Sequence, residues 1–140
     1  MERAVVTGIG IISALGTDKE TFWQNIVSGK NGISLIESFD TSQYPSHYGG
    51  EIKSFSPYVK NILPEETGKC SLYAASAARM AYEDAGIEND DEFGKNTEVF
   101  IGTTMGEGQE LSGLINTDKE ISEKHLTRFP VHNIALTVCR

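Results

Sequence analysis

The chain has 140 residues, of which 39% are hydrophobic and 23% are charged, a composition typical of a globular domain and not of a disordered or fibrous chain. Its formal net charge of −8 argues against a nucleic-acid partner, because phosphate binding needs clustered Lys and Arg. No apolar run approaches the roughly 20 residues that span a bilayer, and the first six residues lack the features of a secretory signal. We therefore expect a cytoplasmic protein that binds neither nucleic acid nor membrane.

The first third of the sequence predicts a strand, a loop and a helix. Residues 4–7 form a short, partly β-branched run that predicts a buried strand, and a glycine-containing loop follows at residues 8–16. Thr17 and Glu20 have the spacing of a capping box, which predicts Thr17 as the N-cap of a helix that stops at Ser28 and Gly29. Prolines and glycines divide residues 30–66 into loops with one or two helical turns, including a short helix at residues 56–62.

The second half predicts a crowded interior helix and a second strand. Residues 69–85 carry an alanine stripe with three- and four-residue spacing before Gly86, formed by Ala74, Ala77, Ala78, Ala81 and Ala85. Because alanine side chains are small, another backbone can approach this helix closely. Residues 97–101 predict a second buried strand that runs into a glycine-rich loop at 102–108. Residues 109–125 predict a polar helix, and residues 131–140 an apolar helix that follows Phe129 and Pro130.

This order of elements predicts an α/β protein with a long crossover between its strands. Two strands do not form a stable sheet alone, so further strands are expected beyond residue 140 or in a partner chain.

The sequence offers one weak nucleotide-binding pattern. Gly8 and Gly10 after a strand are similar to a dinucleotide-binding turn, but Ser13 replaces the third glycine, and no acidic residue ends a second strand about 20 residues later. A tight turn below a packed loop is the favoured interpretation. A small nucleotide-binding module remains the weakest functional alternative.

The cysteines and histidines form no convincing catalytic or metal-binding group. Cys139 lies seven residues after His132, about 10 Å along a helix, too far for proton transfer, so a buried helical cysteine is favoured. Cys70, near the start of the alanine-rich helix, lacks a nearby base and is also interpreted as structural. His47 and His125 are expected to face solvent. We predict no metal site and no cofactor.

Six segments, in order, resemble the β-ketoacyl synthase family of fatty-acid and polyketide condensing enzymes. These segments are residues 4–16, residues 22–33 with Phe22-Trp23 and Ser28-Gly29-Lys30-Asn31-Gly32-Ile33, residues 50–55, residues 74–87, residues 99–106 and residues 129–134. The resemblance implies a thiolase-like α/β fold of layered helices and sheets. This chain, residues 1–140, would be its incomplete N-terminal half, ending before the strand that precedes the nucleophile.

The resemblance also implies what the chain lacks. In the family, a cysteine thiolate accepts an acyl group from an acyl carrier protein, and two histidines assist decarboxylation of a malonyl unit. All three residues belong beyond residue 140, and Cys139 matches an ordinary helical position. We therefore predict the N-terminal portion of a 3-oxoacyl-[acyl-carrier-protein] synthase or polyketide ketosynthase, with no catalytic residue and no activity alone.

The same resemblance suggests one site residue and the partners. Met105 matches a family position that lines and gates the acyl pocket; the alternative is that Met105 fills core space. The complete enzyme would use an acyl carrier protein, whose basic docking patch should lie outside this acidic chain, and would form a homodimer. An alternative function is a non-catalytic subunit that pairs with a ketosynthase.

Overall fold

The computed structural model describes residues 3–59, 61–64, 67–87, 91–108, 130 and 132–139. This part of the chain contains four helices and one antiparallel pair of short strands, which are α1 (Lys19–Val27), β1 (Ser34–Leu35), β2 (Tyr48–Gly49), α2 (Lys69–Asp84), α3 (Asp91–Lys95) and α4 (His132–Val138). Among these helices, none has the length and apolar character needed to cross a membrane. The polar helix predicted at 109–125, which includes His125, lies outside the described residues.

Helix α1 forms where the sequence predicts it, but a different residue caps it. The side chain of Asp18 is the N-cap and accepts a hydrogen bond from the amide of Thr21 at 2.8 Å. Thr17 as N-cap is therefore wrong by one residue; aspartate is an equally good acceptor for the free amides of a first turn. The helix ends as expected, with Ser28 as C-cap and Gly29 in the left-handed region at φ +70°.

Helix α2 is the central element, and its predicted extent is confirmed. It begins after Gly68 and ends at the C-cap Ala85, beyond which Gly86 adopts φ +64°. Helix α4 packs against α2, and the predicted helix at 131–140 is confirmed over His132–Val138. The buried cluster consists of Val59, Leu63 and Ala75, with the partly buried Leu72 and Val138 packed against it.

The alanine stripe of α2 receives another backbone over part of its length, as the sequence predicts, but its five alanines are only half-buried, and the buried alanine of the helix is Ala75. A Cβ atom on Gly10 would lie 1.8 Å from the carbonyl oxygen of Ala77, and one on Gly8 would lie 2.0 Å from that of Ala81. Any side chain at either glycine would overlap the helix backbone. The loop at residues 8–16 therefore begins as a glycine-lined contact with α2.

The two predicted strands at residues 4–7 and 97–101 are wrong for the described part of the chain. Neither segment has a hydrogen-bonded strand neighbour there. Their apolar side chains are exposed, by 82% for Val6 and 85% for Phe100. A strand needs a partner for its amides and carbonyls, so β-propensity alone does not make these segments a sheet.

The region at 30–66 also differs from its prediction in two places. Strands β1 and β2 pair in the register Ser34 with Gly49 and Leu35 with Tyr48, and the sequence did not predict this pair. The helix predicted at 56–62 is wrong, because the described residues there form turns in which the amides of Ile62 and Leu63 both bond the carbonyl of Val59. Two hydrogen bonds that share one carbonyl close a single turn and do not continue into the repeated hydrogen bonds of a helix.

Candidate functional site

The predicted pocket residue, Met105, lies on a tight turn at residues 102–108, beside the N-terminal end of α2. Within this turn, the amide of Gly106 donates to the hydroxyl of Thr103 at 3.0 Å, and the amide of Gly108 donates to the carbonyl of Met105 at 3.0 Å. Gly106 has φ +54°, a left-handed conformation that favours glycine. The side chain of Met105 is 77% exposed, so it does not fill core space in the described part of the chain.

A buried carboxylate joins this turn to α2. Glu107 is only 5% exposed, and its two oxygens accept hydrogen bonds from the first turn of the helix, at 2.7 Å from the amide of Ser71 and 3.2 Å from that of Cys70. These amides have no partner within the helix itself. A carboxylate at this position is also favoured by the helix dipole. Glu107 therefore caps the N-terminus of α2, because the residue before the helix, Gly68, has no side chain that could do so.

Two further contacts close the same junction. The thiol of Cys70 donates to the carbonyl oxygen of Gly106 at 2.8 Å. A Cβ atom on Gly68 would lie 2.4 Å from the carboxylate of Glu107, so only glycine leaves room for that group. The structural interpretation of Cys70 agrees with this geometry, since the thiol holds the turn against the helix.

A shallow groove of about 280 Å³ lies between the β1–β2 pair and α2. Its lining combines Ile36, Phe39 and Ile52 with Glu51, Lys69 and Tyr73. Hydrogen bonds from Ser38 and from the amide of Glu37 hold the pKa of Glu51 below its ordinary value. Glu51 thus stays ionised and ties its loop to the neighbouring one, and it is poorly suited to donate a proton as a general acid.

The remaining candidates from the sequence do not form a catalytic group. His132 and Cys139 are both exposed, the first at the start of α4 and the second just after its end; the prediction that Cys139 is buried is therefore wrong. The ring of His47 is exposed, as expected, and its Nδ1 lies 3.1 Å from the hydroxyl of Thr41. The described residues contain no cluster of three or more His, Cys, Asp or Glu arranged for a metal ion.

The close contact of the N-terminal loop with α2 contradicts the nucleotide-binding interpretation of its glycines. Gly8 and Gly10 face carbonyl oxygens in the C-terminal half of α2 and not the free amides of a helix N-terminus. Phosphate needs such amides, and the amide of Ile9 between them already donates to a carboxylate oxygen of Asp84 at 3.0 Å. These two glycines therefore serve close packing.

Sequence reasoning missed Glu107. Its partners lie 36 residues away or more along the chain, a separation at which no local pattern links an acid to a helix start. One signal was present: α2 begins after Gly68, which has no side chain to cap the helix. An uncapped helix start inside a protein predicts an acceptor from elsewhere.

Known proteins resemble this chain in both sequence and structure. The profile of the family described as "Beta-ketoacyl synthase, N-terminal domain" matches residues 1–138. The chain is 42% identical over 109 residues to 3-oxoacyl-[acyl-carrier-protein] synthase II, chloroplastic, of Arabidopsis thaliana, a match that covers 74% of this chain and 20% of the relative. It is 35% identical over 107 residues to 3-oxoacyl-[acyl-carrier-protein] synthase 2 of Staphylococcus aureus, covering 75% and 26% respectively.

Solved structures agree with the sequence comparison. The ishigamide ketosynthase/chain length factor superposes with a TM-score of 0.80 at 26% identity, covering 96% of this chain and 35% of that one. A β-ketoacyl synthase from Burkholderia phymatum superposes with a TM-score of 0.75 at 20% identity, covering 99% and 36%. The thiolase-like fold expected from the resemblance is thereby confirmed. The chain spans about a fifth to a quarter of the curated relatives' length, and it belongs to the β-ketoacyl synthase family, whose N-terminal domain its residues match.

Proposed function

We propose that the chain forms the N-terminal portion of a 3-oxoacyl-[acyl-carrier-protein] synthase. The observation that carries this proposal is the family match over residues 1–138 together with the superposition, at a TM-score of 0.80, on a ketosynthase/chain length factor. Two curated relatives that the chain matches are named as 3-oxoacyl-[acyl-carrier-protein] synthases. Their activity is carried to this chain as a proposal, because the chain covers only part of their length.

The proposed reaction is a decarboxylative Claisen condensation. A cysteine thiolate attacks the thioester carbonyl of an acyl carrier, which forms an acyl-enzyme and releases the carrier thiol. Malonyl carrier then loses carbon dioxide, and the resulting carbanion attacks the acyl-enzyme, forming the carbon–carbon bond and releasing the cysteine thiolate. Hydrogen-bond donors that face the developing oxyanion lower the barrier.

The described residues suit a supporting role in that reaction. The thiol of Cys70 is engaged with the carbonyl of Gly106, and Cys139 lies just after the C-terminal end of α4, where the helix dipole disfavours a thiolate, so neither has the setting of an activated nucleophile. We therefore expect the 140-residue chain by itself to have no condensing activity. The nucleophile and both histidines would come from the rest of the synthase.

Met105 is the residue of this chain that we assign to the acyl pocket. Its exposed position on the turn at 102–108 supports this role, because a flexible apolar side chain facing outward can form the wall of a pocket that the rest of the synthase completes. Met105→Ala should change the relative kcat/KM for acyl carriers of different chain length. Ile62→Ala, which truncates an exposed apolar residue in a different turn, provides the matched control.

A second candidate function is a non-catalytic subunit that pairs with a ketosynthase. It is supported by the similarity to a ketosynthase/chain length factor and by the exposed apolar side chains of residues 5, 6 and 100, which need a covering surface. In either role we propose an acyl carrier protein as the substrate carrier and a dimer, made of identical or complementary subunits, as the assembly. The cytoplasmic location stays a prediction, since one plant relative is named chloroplastic.

The two candidates are separated by one purification and one assay. The chain is tagged at its N-terminus at its own genetic locus, the assembly containing it is isolated, and the coding sequence after the Arg140 codon is determined. Acyl carrier and malonyl carrier are then supplied, and the 3-oxoacyl product is measured by mass spectrometry. Product from an assembly in which one polypeptide carries both this chain and a nucleophilic cysteine supports the synthase. Product only with a separate ketosynthase polypeptide supports the subunit, and condensation by the 140-residue chain alone would contradict both.

A further inference from the structure

The buried carboxylate of Glu107 links the turn at 102–108 to the first turn of α2. A buried charge is retained in a fold only where hydrogen bonds compensate its lost hydration. Here the compensation comes from two amides of α2, those of Cys70 and Ser71, and from the helix N-terminus that they belong to. These hydrogen bonds are charge-assisted and consequently stronger than ordinary backbone ones.

The space around this carboxylate is closed on the helix side. A Cβ atom on Gly68 would overlap Glu107 at 2.4 Å, while the Cys70 thiol holds the preceding carbonyl, that of Gly106, at 2.8 Å. The other end of the turn is open, because a Cβ atom on Gly102 would meet nothing within 4 Å. The turn is therefore tied to α2 at Glu107, whereas the Cβ position of Gly102 has no neighbour that would hold it.

From this geometry we propose that Glu107 is a positioning residue that fixes the orientation of Met105 and thereby the acyl chain lengths that the synthase accepts. Only one residue, Gly106 in its left-handed conformation, separates the fixed carboxylate from the exposed methionine. Release of the carboxylate from α2 lets the turn rotate and moves the methionine side chain with it. The link to acyl chains rests on the proposed function; the link to α2 does not.

The test measures both links in the intact assembly that contains this chain. The first readout is the rate at which iodoacetamide labels Cys70, followed by mass spectrometry of its peptide, with the exposed Cys139 as an internal reference. The second readout is the ratio of kcat/KM values for a long and a short acyl carrier. Glu107→Gln keeps the side-chain volume but turns one acceptor into a donor that faces an amide. Glu98→Gln makes the same chemical change on an exposed glutamate and is the matched control.

Gly68→Ala is the second variant and leaves every charge in place. Its added methyl group displaces the carboxylate by contact, so any faster labelling of Cys70 cannot come from a lost negative charge near the thiol. The variant also keeps the test meaningful if Glu107→Gln fails to fold. The backbone at Gly68, with φ −65° and ψ 158°, is one that alanine adopts without strain.

In Glu107→Gln and Gly68→Ala we expect iodoacetamide to label Cys70 about tenfold faster and Cys139 at an unchanged rate. The reason is that loss of the charge-assisted hydrogen bonds lets the turn leave α2, which exposes the Cys70 thiol. We also expect the chain-length ratio to shift by about fivefold, since one methylene in an apolar pocket changes selectivity by that order or more. Glu98→Gln should change neither. Unchanged Cys70 labelling overturns the proposed attachment of the turn to α2 by Glu107. Faster labelling with a wild-type ratio of kcat/KM values overturns the role of Glu107 in chain-length selectivity. An assembly that makes no 3-oxoacyl product contradicts the proposed function, while Cys70 labelling still tests whether Glu107 holds the turn on α2.

Discussion

Replacement of Gly10 by alanine tests whether close backbone contact holds the N-terminal segment on α2. The added Cβ would lie 1.8 Å from the carbonyl oxygen of Ala77 and 2.7 Å from its carbonyl carbon. Since ordinary contact begins near 3.4 Å, the two backbones would have to separate by about 1.6 Å. The obstructing atoms belong to a helix backbone, which cannot turn aside as a flexible side chain can. We expect a loss of about 3 kcal/mol in unfolding free energy, at the upper end for overpacking.

Urea unfolding of the assembly that contains the chain measures this loss, with α2 followed by hydrogen exchange of its peptides. At a slope of about 2 kcal/mol per molar urea, a loss of about 3 kcal/mol lowers the midpoint by about 1.5 M. Gly102→Ala is the control, because its Cβ meets nothing within 4 Å and its midpoint should change little. If Gly10→Ala unfolds at the wild-type midpoint, the segment does not lie against α2 and the reasoning is refuted.

Three further changes test other contacts, each read from the same urea titration. Ser76→Ala removes a fully buried hydroxyl that has no hydrogen-bond partner among the described residues, and should raise the unfolding free energy by about 1 kcal/mol. Asp18→Ala removes the N-cap of α1 and should lower it by about 1 kcal/mol. Hydrogen bonds from Lys19 and from the amide of Ile9 hold the pKa of Asp84 below its ordinary 3.8. A lowered folded pKa stabilises the protein above pH 3.8, and the effect disappears as pH falls through the lowered value. Asp84→Asn should therefore lower the urea midpoint at neutral pH by an amount that shrinks as the pH falls below 3.8, whereas a deficit that does not change with pH would contradict this assignment.

The sequence predicted α2 and its surroundings well because the causes are local. Small residues repeat with helical spacing from Ala74 to Ala85, and Gly86 adopts the left-handed conformation that ends a helix. The contact joins the alanine stripe of α2 to the glycines at positions 8 and 10. Each of these two patterns can be recognised within its own segment of the sequence. The family resemblance rested on several such segments in their order along the chain. The family profile and the similar solved structure confirmed the family and the fold.

The candidate site was less predictable because its causes are distant in sequence. Met105 was selected through the family resemblance, whereas the groups that hold its turn, Glu107 and Cys70, face each other across more than 30 residues. Neither helical nor strand periodicity carries information on such a pair. The shift of the α1 cap from Thr17 to Asp18 has another origin, since two good capping residues stood side by side and their intrinsic preferences differ little.

The two segments wrongly predicted as strands differ from the adjacent loop in what their side chains contact. Val5, Val6 and Phe100 have the residue types of buried strands, yet all three are exposed, while the adjacent contact of Gly8 and Gly10 with α2 is fully formed. Burial of each such side chain is worth about 1.5–3 kcal/mol, and it becomes available only when a neighbouring strand supplies both hydrogen bonds and a covering face. The contact between the N-terminal loop and α2 needs no such neighbour, because it is made within the described residues. The contact between the N-terminal loop and α2 is thus formed by residues of this chain, whereas residues 4–7 and 97–101 pair with no strand among the described residues.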